Sequence, residues 1–212
     1  MSAHEAFEQL AAKLETSAEY RVLRRLRPLQ TPQPPLAGAR RCAKVAFVDC
    51  ETTGLDPTED KIIDAGVLCV EIDVQTGQLA RVLGNWSGLQ DPGIPIPPNI
   101  TALTGISDTM VAGQSFDEPS LLAIMDATDL VVAHNASFDR PFFEGAFAWF
   151  ERFPWACSHR LVRWQEEGFG STKLEFLAFR TGLFYEGHRA LVDCHALATV
   201  LFSLVLPSTG EN

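Results

Sequence analysis

The sequence predicts an α/β domain built on a mixed five-stranded sheet, and three observations carry that expectation. Apolar, β-branched runs at residues 44–52, 62–72 and 79–86 are joined by the turns Gly54-Leu55-Asp56-Pro57 and Gln75-Thr76-Gly77-Gln78, which reads as a three-strand meander. Two further short apolar runs follow at 130–133 and 155–157. Between and after these runs the apolar spacing turns helical, so helices should cover the faces of the sheet.

In order along the chain, residues 3–27 show helical spacing, with Ala6, Phe7, Leu10, Ala11 and Leu14 and then Val22, Leu23 and Leu26. Arg21, Arg24, Arg25 and Arg27 make the end of that segment basic, either as an arm packed on the domain or as a set of phosphate contacts. Pro28 ends it, and Thr31-Pro32-Gln33-Pro34-Pro35-Leu36-Ala37-Gly38 reads as an extended linker. The prolines of residues 91–98 exclude a central strand there. Helices are expected at 99–104 and 118–127, then from an N-cap at Ser137 through Phe142, Phe143, Phe147 and Phe150. Further helices are expected near 161–164, 174–181 and 190–206. The expected division is an N-terminal helical extension with its linker at 1–42, a catalytic domain at 43–207 and a short tail at 208–212.

Composition narrows the function classes. At 46% hydrophobic and 21% charged, the 212 residues suit a soluble globular domain. No apolar run reaches the roughly 18 residues of a membrane span, and Met1-Ser2-Ala3-His4-Glu5 has no apolar export core. The five cysteines are odd in number without paired spacing, so free thiols in a cytoplasmic protein are expected. The net charge of −10 divides into about +4 over residues 1–44 and about −14 over the rest. Such a domain is not built to hold long duplexes by charge alone. An enzyme whose metals neutralise its substrate locally remains compatible with it.

The chemistry concentrates at three places. In Asp49-Cys50-Glu51-Thr52-Thr53-Gly54 the strand alternation points Asp49 and Glu51 one way and Cys50 the other. Two close carboxylates repel, and a hard divalent cation between them relieves that, so this is half of a metal site. The run 130–133 delivers His134-Asn135-Ala136-Ser137-Phe138-Asp139 at a strand's C-terminal end, where α/β sheets place ligands. Asp139 there is either a further ligand or a simple complement to a helix dipole. His188-Arg189-Ala190-Leu191-Val192-Asp193 opens the last helix, with Asp193 on or beside a buried face. A buried carboxylate needs a partner, a metal or Arg189 at i−4. His195 reads as an ordinary histidine.

These three segments, in this order and spacing, resemble the three motifs of the DnaQ-like (DEDDh) 3′–5′ exonucleases, which include the epsilon proofreading subunit of bacterial DNA polymerase III. The likeness covers residues 44–206, and the Thr104-Gly105-Ile106 element is similar to one that lies along the bound strand in that family. The resemblance implies an RNase H-like fold. It implies Asp49, Glu51, Asp139 and Asp193 as ligands of two Mg²⁺ or Mn²⁺ ions, Asp139 acting through water. It implies His188 as general base, and Thr52, Thr53, Leu103, Asn135, Phe138 and His188 as contacts of the terminal nucleotide.

The implied activity is release of nucleoside 5′-monophosphates from single-stranded 3′ ends, DNA favoured, in replication or repair. An RNA trimmer of the oligoribonuclease or RNase T kind is the alternative within enzymes, and an inactive nucleic-acid-binding module the alternative outside them. Two departures stand out. Cys157-Ser158 replaces a common Asp-Thr, which bears on local packing. The chain also ends at Asn212 without a polymerase-docking tail, so a dedicated proofreading role is not expected, and any protein partner is expected at the N-terminal extension.

Overall fold

A computed structural model describes residues 2–33 and 41–204 of the chain. Helix α1 (Ala3–Glu15) opens with a capping box, in which the Ser2 hydroxyl accepts the Glu5 N–H and the Glu5 carboxylate accepts the Ser2 N–H. The helix expected to continue to residue 27 stops at Glu15. The chain instead runs extended through the two-residue strand β1 (Arg24–Arg25). Its backbone donors go to distant partners: Arg24 N–H to the Gly182 carbonyl at 2.8 Å and Leu26 N–H to Phe184 at 2.9 Å. Tertiary pairing thus overrides a locally helical pattern. Most of the proline-rich linker, from Pro34 on, lies outside the described residues.

The meander follows as β2 (Cys42–Thr52), β3 (Ile62–Asp73) and β4 (Leu79–Leu89), paired antiparallel. Short helices α2 (Pro98–Thr104), α3 (Asp108–Val111) and α4 (Glu118–Met125) lead to β5 (Leu130–Ala133). Helix α5 (Ala136–Ala146) starts one residue before Ser137, because Asn135 takes the left-handed conformation (φ 73°) and turns the chain into the helix directly. Ser137 is therefore not the N-cap; its hydroxyl donates to the Asn135 side chain at 2.9 Å. The helix also ends before Phe147, and a 3₁₀ turn (Ala148–Arg152) carries Phe150 into the core. Strand β6 (Trp155–Cys157), α6 (Ser158–Leu161), α7 (Leu174–Arg180), β7 (Leu183–Phe184) and α8 (Ala190–Ser203) complete the described chain. The fifth helix segment expected near 161–164 is thus the single turn α6, and residues 205–206 of the last expected helix lie outside the described residues.

The sheet order is β4-β3-β2-β5-β6, with β2, β5 and β6 parallel, as a meander plus two further strands should give. Alternation along β2 splits the core. Ala46, Val48 and Cys50 pack with α4 and the phenylalanines of α5 and the 3₁₀ turn, whereas Val45 and Phe47 pack with α8 through Cys194, Leu197 and Ala198. Asp49 and Glu51 continue the α8 phase of the strand, and Cys50 continues the α5 phase.

Helix α8 reaches β3 only because residue 66 is glycine. A Cβ there would stand 2.3 Å from the Leu191 backbone nitrogen, and backbone has nowhere to give. At Gly84 the nearest atom to such a Cβ is the Ile124 Cδ1 at 3.3 Å, the end of a flexible side chain. Gly66→Ala is expected to destabilise the protein by about 3 kcal/mol and Gly84→Ala by under about 1 kcal/mol, read from urea midpoints. Equal costs at the two positions would contradict this account of the α8 contact.

Candidate active site

Because β2 and β5 run parallel, their C-terminal ends open at the same edge of the sheet. There Asp49 and Glu51 of β2 meet Asp193, in the first turn of α8. One carboxylate oxygen from each can be taken so that all three lie within 4.8 Å of one another. They line a cavity of about 290 Å³ together with Phe138, Asp139 and His188. Thr52, Thr53, Leu103 and Asn135 do not line it. The Thr53 hydroxyl is held by Asp60 at 2.9 Å, and the Thr52 hydroxyl donates to the Gly54 carbonyl. Leu103 is left exposed on α2.

Each carboxylate is held differently. The two oxygens of Asp193 accept from the Tyr185 hydroxyl and from the Arg189 N–H, both at 3.1 Å. Arg189 does not form the i−4 ion pair with Asp193; its guanidinium turns to Asp64 of β3 at 3.0 Å, and Asp64 is 3% exposed. Asp139 comes from the opposite, α5 side of the sheet and accepts the Cys50 N–H at 3.2 Å, with the Cys50 thiol at 3.7 Å. It lies outside the close group of three, yet lines the same cavity and raises Asp49 by its charge. Cys50 is a contact of the second-motif acid as well as a spacer in the first motif.

The electrostatics follow from this crowding. Burial, reinforced by Asp139, Asp193, Glu51 and Asp64, holds Asp49 far above the ordinary carboxylate range. Burial with Asp193, Asp64 and Asp139 pushes Glu51 up to about 8. Burial raises Asp139 to about 7 against the Cys50 N–H, and raises Asp193 to about 6 against its Tyr185 and Arg189 donors. Asp64 is raised by burial in spite of Arg189. The thiols of Cys50 and Cys194 are raised well above their usual value by burial, which keeps them protonated and inert. All five cysteines are free.

His188 sits beside the triad in the left-handed region (φ 61°), with Nδ1 3.9 Å from Glu51 and Nε2 3.4 Å from Glu175. Behind it, His134 donates from Nε2 to the Thr172 carbonyl at 2.7 Å, so Nδ1 is the acceptor toward the Ser158 hydroxyl at 2.9 Å. His134 thereby ties the end of β5 to Ser158 of α6 and to the segment leading into α7.

The exonuclease (RNase T) family model matches residues 46–201, about three quarters of the chain and all of this site. The chain belongs to this exonuclease family. It is 31% identical over 159 residues to the PolC-type DNA polymerase III of Clostridium perfringens, covering 72% of this chain and 10% of that one. To the DNA polymerase III subunit epsilon of Aquifex aeolicus it is 28% identical over 165 residues, covering 74% of this chain and 78% of that one. It thus spans about a tenth of the PolC-type polymerases and most of the epsilon subunit. Among solved structures, exonuclease X in complex with 5′-overhanging duplex DNA matches at TM-score 0.55 and 25% identity, covering 79% of this chain and 94% of that one. The zinc-bound exonuclease I–ssDNA complex of E. coli matches at TM-score 0.60 and 17% identity, covering 76% and 40%, a likeness of fold. The DnaQ-like resemblance and the RNase H-like sheet are both borne out. Among the described residues no helix is long and apolar enough to cross a membrane.

Three residues that shape this candidate site were missed in the sequence. Asp64 had a signal, as a lone carboxylate early in the apolar run of β3. Tyr185 and Glu175 had none, because only the fold brings them to Asp193 and His188.

The donor set fits divalent cations on structural grounds. Three carboxylates converge, and the arginine beside them is already committed to Asp64. Since their folded pKa values lie above ordinary carboxylate values, the folded state binds more protons than the unfolded chain, and metal-free stability is lost as pH rises through the folded values. Between about pH 7.5 and about pH 8.5, Glu51 and Asp49 dominate, because by then the lowered His134 and His195 are close to neutral in both states. The melting temperature in EDTA is expected to fall across that interval, while the increment given by Mg²⁺ or Mn²⁺ grows, since ligation needs the deprotonated forms. Thermal melts with and without metal check both; a metal increment independent of pH would remove the cation from this site.

Proposed function

We propose that the chain is a metal-dependent 3′–5′ exonuclease that removes nucleotides from single-stranded 3′ ends, DNA favoured, and releases nucleoside 5′-monophosphates. The convergence of Asp49, Glu51 and Asp193 beside His188, at the open end of the sheet, carries this reading. Those three carboxylates, together with Asp139, are the groups that would hold two Mg²⁺ or Mn²⁺ ions. When bound, such ions stabilise the charge on the attacking and leaving oxygens of an in-line displacement at phosphorus.

The chain's own groups do the rest. His188, at the mouth of the cavity and 40% exposed at its side chain, takes the proton of the attacking water. Tyr185 and the Arg189 N–H fix the rotamer of Asp193, so that ligand does not need ordering by substrate. Phe138 lines the cavity half-buried and offers a ring face to the terminal base, a sequence-tolerant contact. Thr52, Thr53, Leu103 and Asn135 border the bound strand in this reading without reaching the reacting phosphate.

Preference for DNA is supported by the polymerase III relatives and by the DNA-bound structures of the fold. A short single-stranded end also suits an acidic domain. Of its cations, Arg189 and Arg163 are committed to Asp64 and Glu166, whereas Lys173 lines the cavity. The N-terminal extension, through α1, is the place for a protein partner, since Phe7, Leu10 and Leu14 are exposed there.

Release of mononucleotides from 3′-labelled ssDNA, mismatched duplex and ssRNA tests the proposal. His188→Ala is expected to lower turnover by about 10³-fold with the Mg²⁺-induced melting shift retained. Asp49→Asn is expected to abolish both turnover and that shift while raising the metal-free melting temperature, because folding no longer has to protonate that buried carboxylate. Near wild-type release by either variant would sink the assignment, and faster release from ssRNA would move the enzyme to the RNA-trimming class.

A further inference from the structure

The segment after α1 lies outside the span matched by the exonuclease family, yet it is laid against the elements that carry His188. Strand β1 pairs in parallel with β7, and β7 has no other strand partner among the described residues. Directly after β7 come Tyr185, which holds Asp193, and then Glu186, Gly187 and His188. The Arg21 guanidinium donates to the Phe179 and Arg180 carbonyls, at 2.6 and 2.9 Å, and covers the Phe179 ring at 4.3 Å. Both acceptors end α7, the helix whose first turn presents Glu175 to His188. Arg25 lies over the Phe184 ring at 4.9 Å and 3.6 Å from Glu186. Farther on, the Leu29 N–H donates to His195 Nδ1 at 3.0 Å, two positions beyond Asp193 on α8.

His188 needs such support. A non-glycine residue with φ 61° is held in a sparsely populated conformation, which persists only where the surroundings over-determine it. A two-residue strand is likewise too short to be ordered alone. An added Cβ at Gly187 would lie 2.9 Å from Glu175 Oε1, the end of a flexible side chain, so this contact places α7 beside the loop without fixing it.

We propose that residues 20–29 are an external brace for the catalytic loop, in which Arg21, Leu26 and Leu29 act as positioning residues through β7, α7 and α8. The proposal rests on the reading of His188 as general base. It assigns to the basic arm, which the sequence left open between packing and phosphate binding, a role in turnover exerted through protein contacts. Arg24 completes the brace by tying it back to α1 through Glu8 and Glu15, at 3.0 and 2.7 Å.

The test uses the full chain with Arg21→Ala, Arg21→Lys and Leu26→Pro, the last removing the donor to Phe184. Amide exchange across residues 183–189 is expected to rise about tenfold in Arg21→Ala and Leu26→Pro. In the same variants kcat is expected to fall about tenfold with KM within about twofold, as for loss of an interaction that matters in the transition state. The Mg²⁺-induced melting shift should remain, since β2 and α8 carry its ligands, and Arg21→Lys should recover most of kcat. Unchanged exchange at 183–189 in Arg21→Ala overturns the brace, as does raised exchange with wild-type kcat. If Leu26→Pro also loses the metal shift, its fold is damaged and Arg21→Ala alone decides. A His188→Ala protein that keeps its turnover instead overturns the base assignment, and the exchange data still report on the brace, so the two failures are distinguishable.

Discussion

Carboxylates taken out of water beside one another repel strongly, and the C-terminal end of β2 concentrates that repulsion. Asp49, Glu51 and Asp193 converge there with Asp64 behind them, and each is driven above the ordinary carboxylate range. No interaction within the described chain neutralises the triad as a whole. Arg189 is committed to Asp64, and His188 is 3.9 Å from Glu51 with a second carboxylate on its other nitrogen. A core that kept this cluster for stability alone would be better served by apolar residues of like volume. The fold tolerates the cluster because the rest of the sheet is densely apolar, and the strain has the character of a site prepared for cations.

The arrangement also keeps the charges from becoming one undivided cluster. Period-two alternation assigns Asp49 and Glu51 to the α8 face and leaves Cys50 to the α5 face, where its N–H holds Asp139. Asp139 is thus brought to the site around the strand end, with a donor of its own. Asp64, in register with Glu51, is separated by having the guanidinium of Arg189 and the N–H of Ala190 to itself. Gly66 completes the geometry, since only the missing Cβ lets the start of α8 lie on β3 and bring Asp193 to the triad.

Which parts of this were legible in the sequence follows from the range of the interactions. Asp49 and Glu51 could be placed on one face because strand alternation is a local rule, and the five strands were readable from apolar runs bounded by turns. Asp139, His188 and Asp193 were picked out by the resemblance of three motifs in order, since on local grounds Asp139 fitted a helix dipole and Asp193 a pair with Arg189. The Asp64–Arg189 pair joins residues 125 positions apart, and nothing near either residue names the other. Val22, Leu23 and Leu26 fit a helix as well as a strand, and what decided between them was the row of carbonyls at Gly182 and Phe184. The start of α5 moved for a related reason, since Asn135 takes a left-handed turn that a Ser N-cap would not need.

The site divides its labour between parts of different rigidity. Its charges sit on β2 and in the first turn of α8, elements locked by the sheet and by two hydrogen bonds to Asp193, as cation ligands must be if their spacing is to hold. The proposed base, His188, sits on a short turn that would have to admit a nucleotide and let it leave, and such turns are drawn from the less stable end of a structure. A loop of that kind has to be placed accurately without being frozen. Fastening the ends of the neighbouring elements, at Phe179, Arg180, Gly182 and Phe184, does this from outside the cavity, where the contacts neither meet substrate nor add charge to a cluster that already holds too much of it.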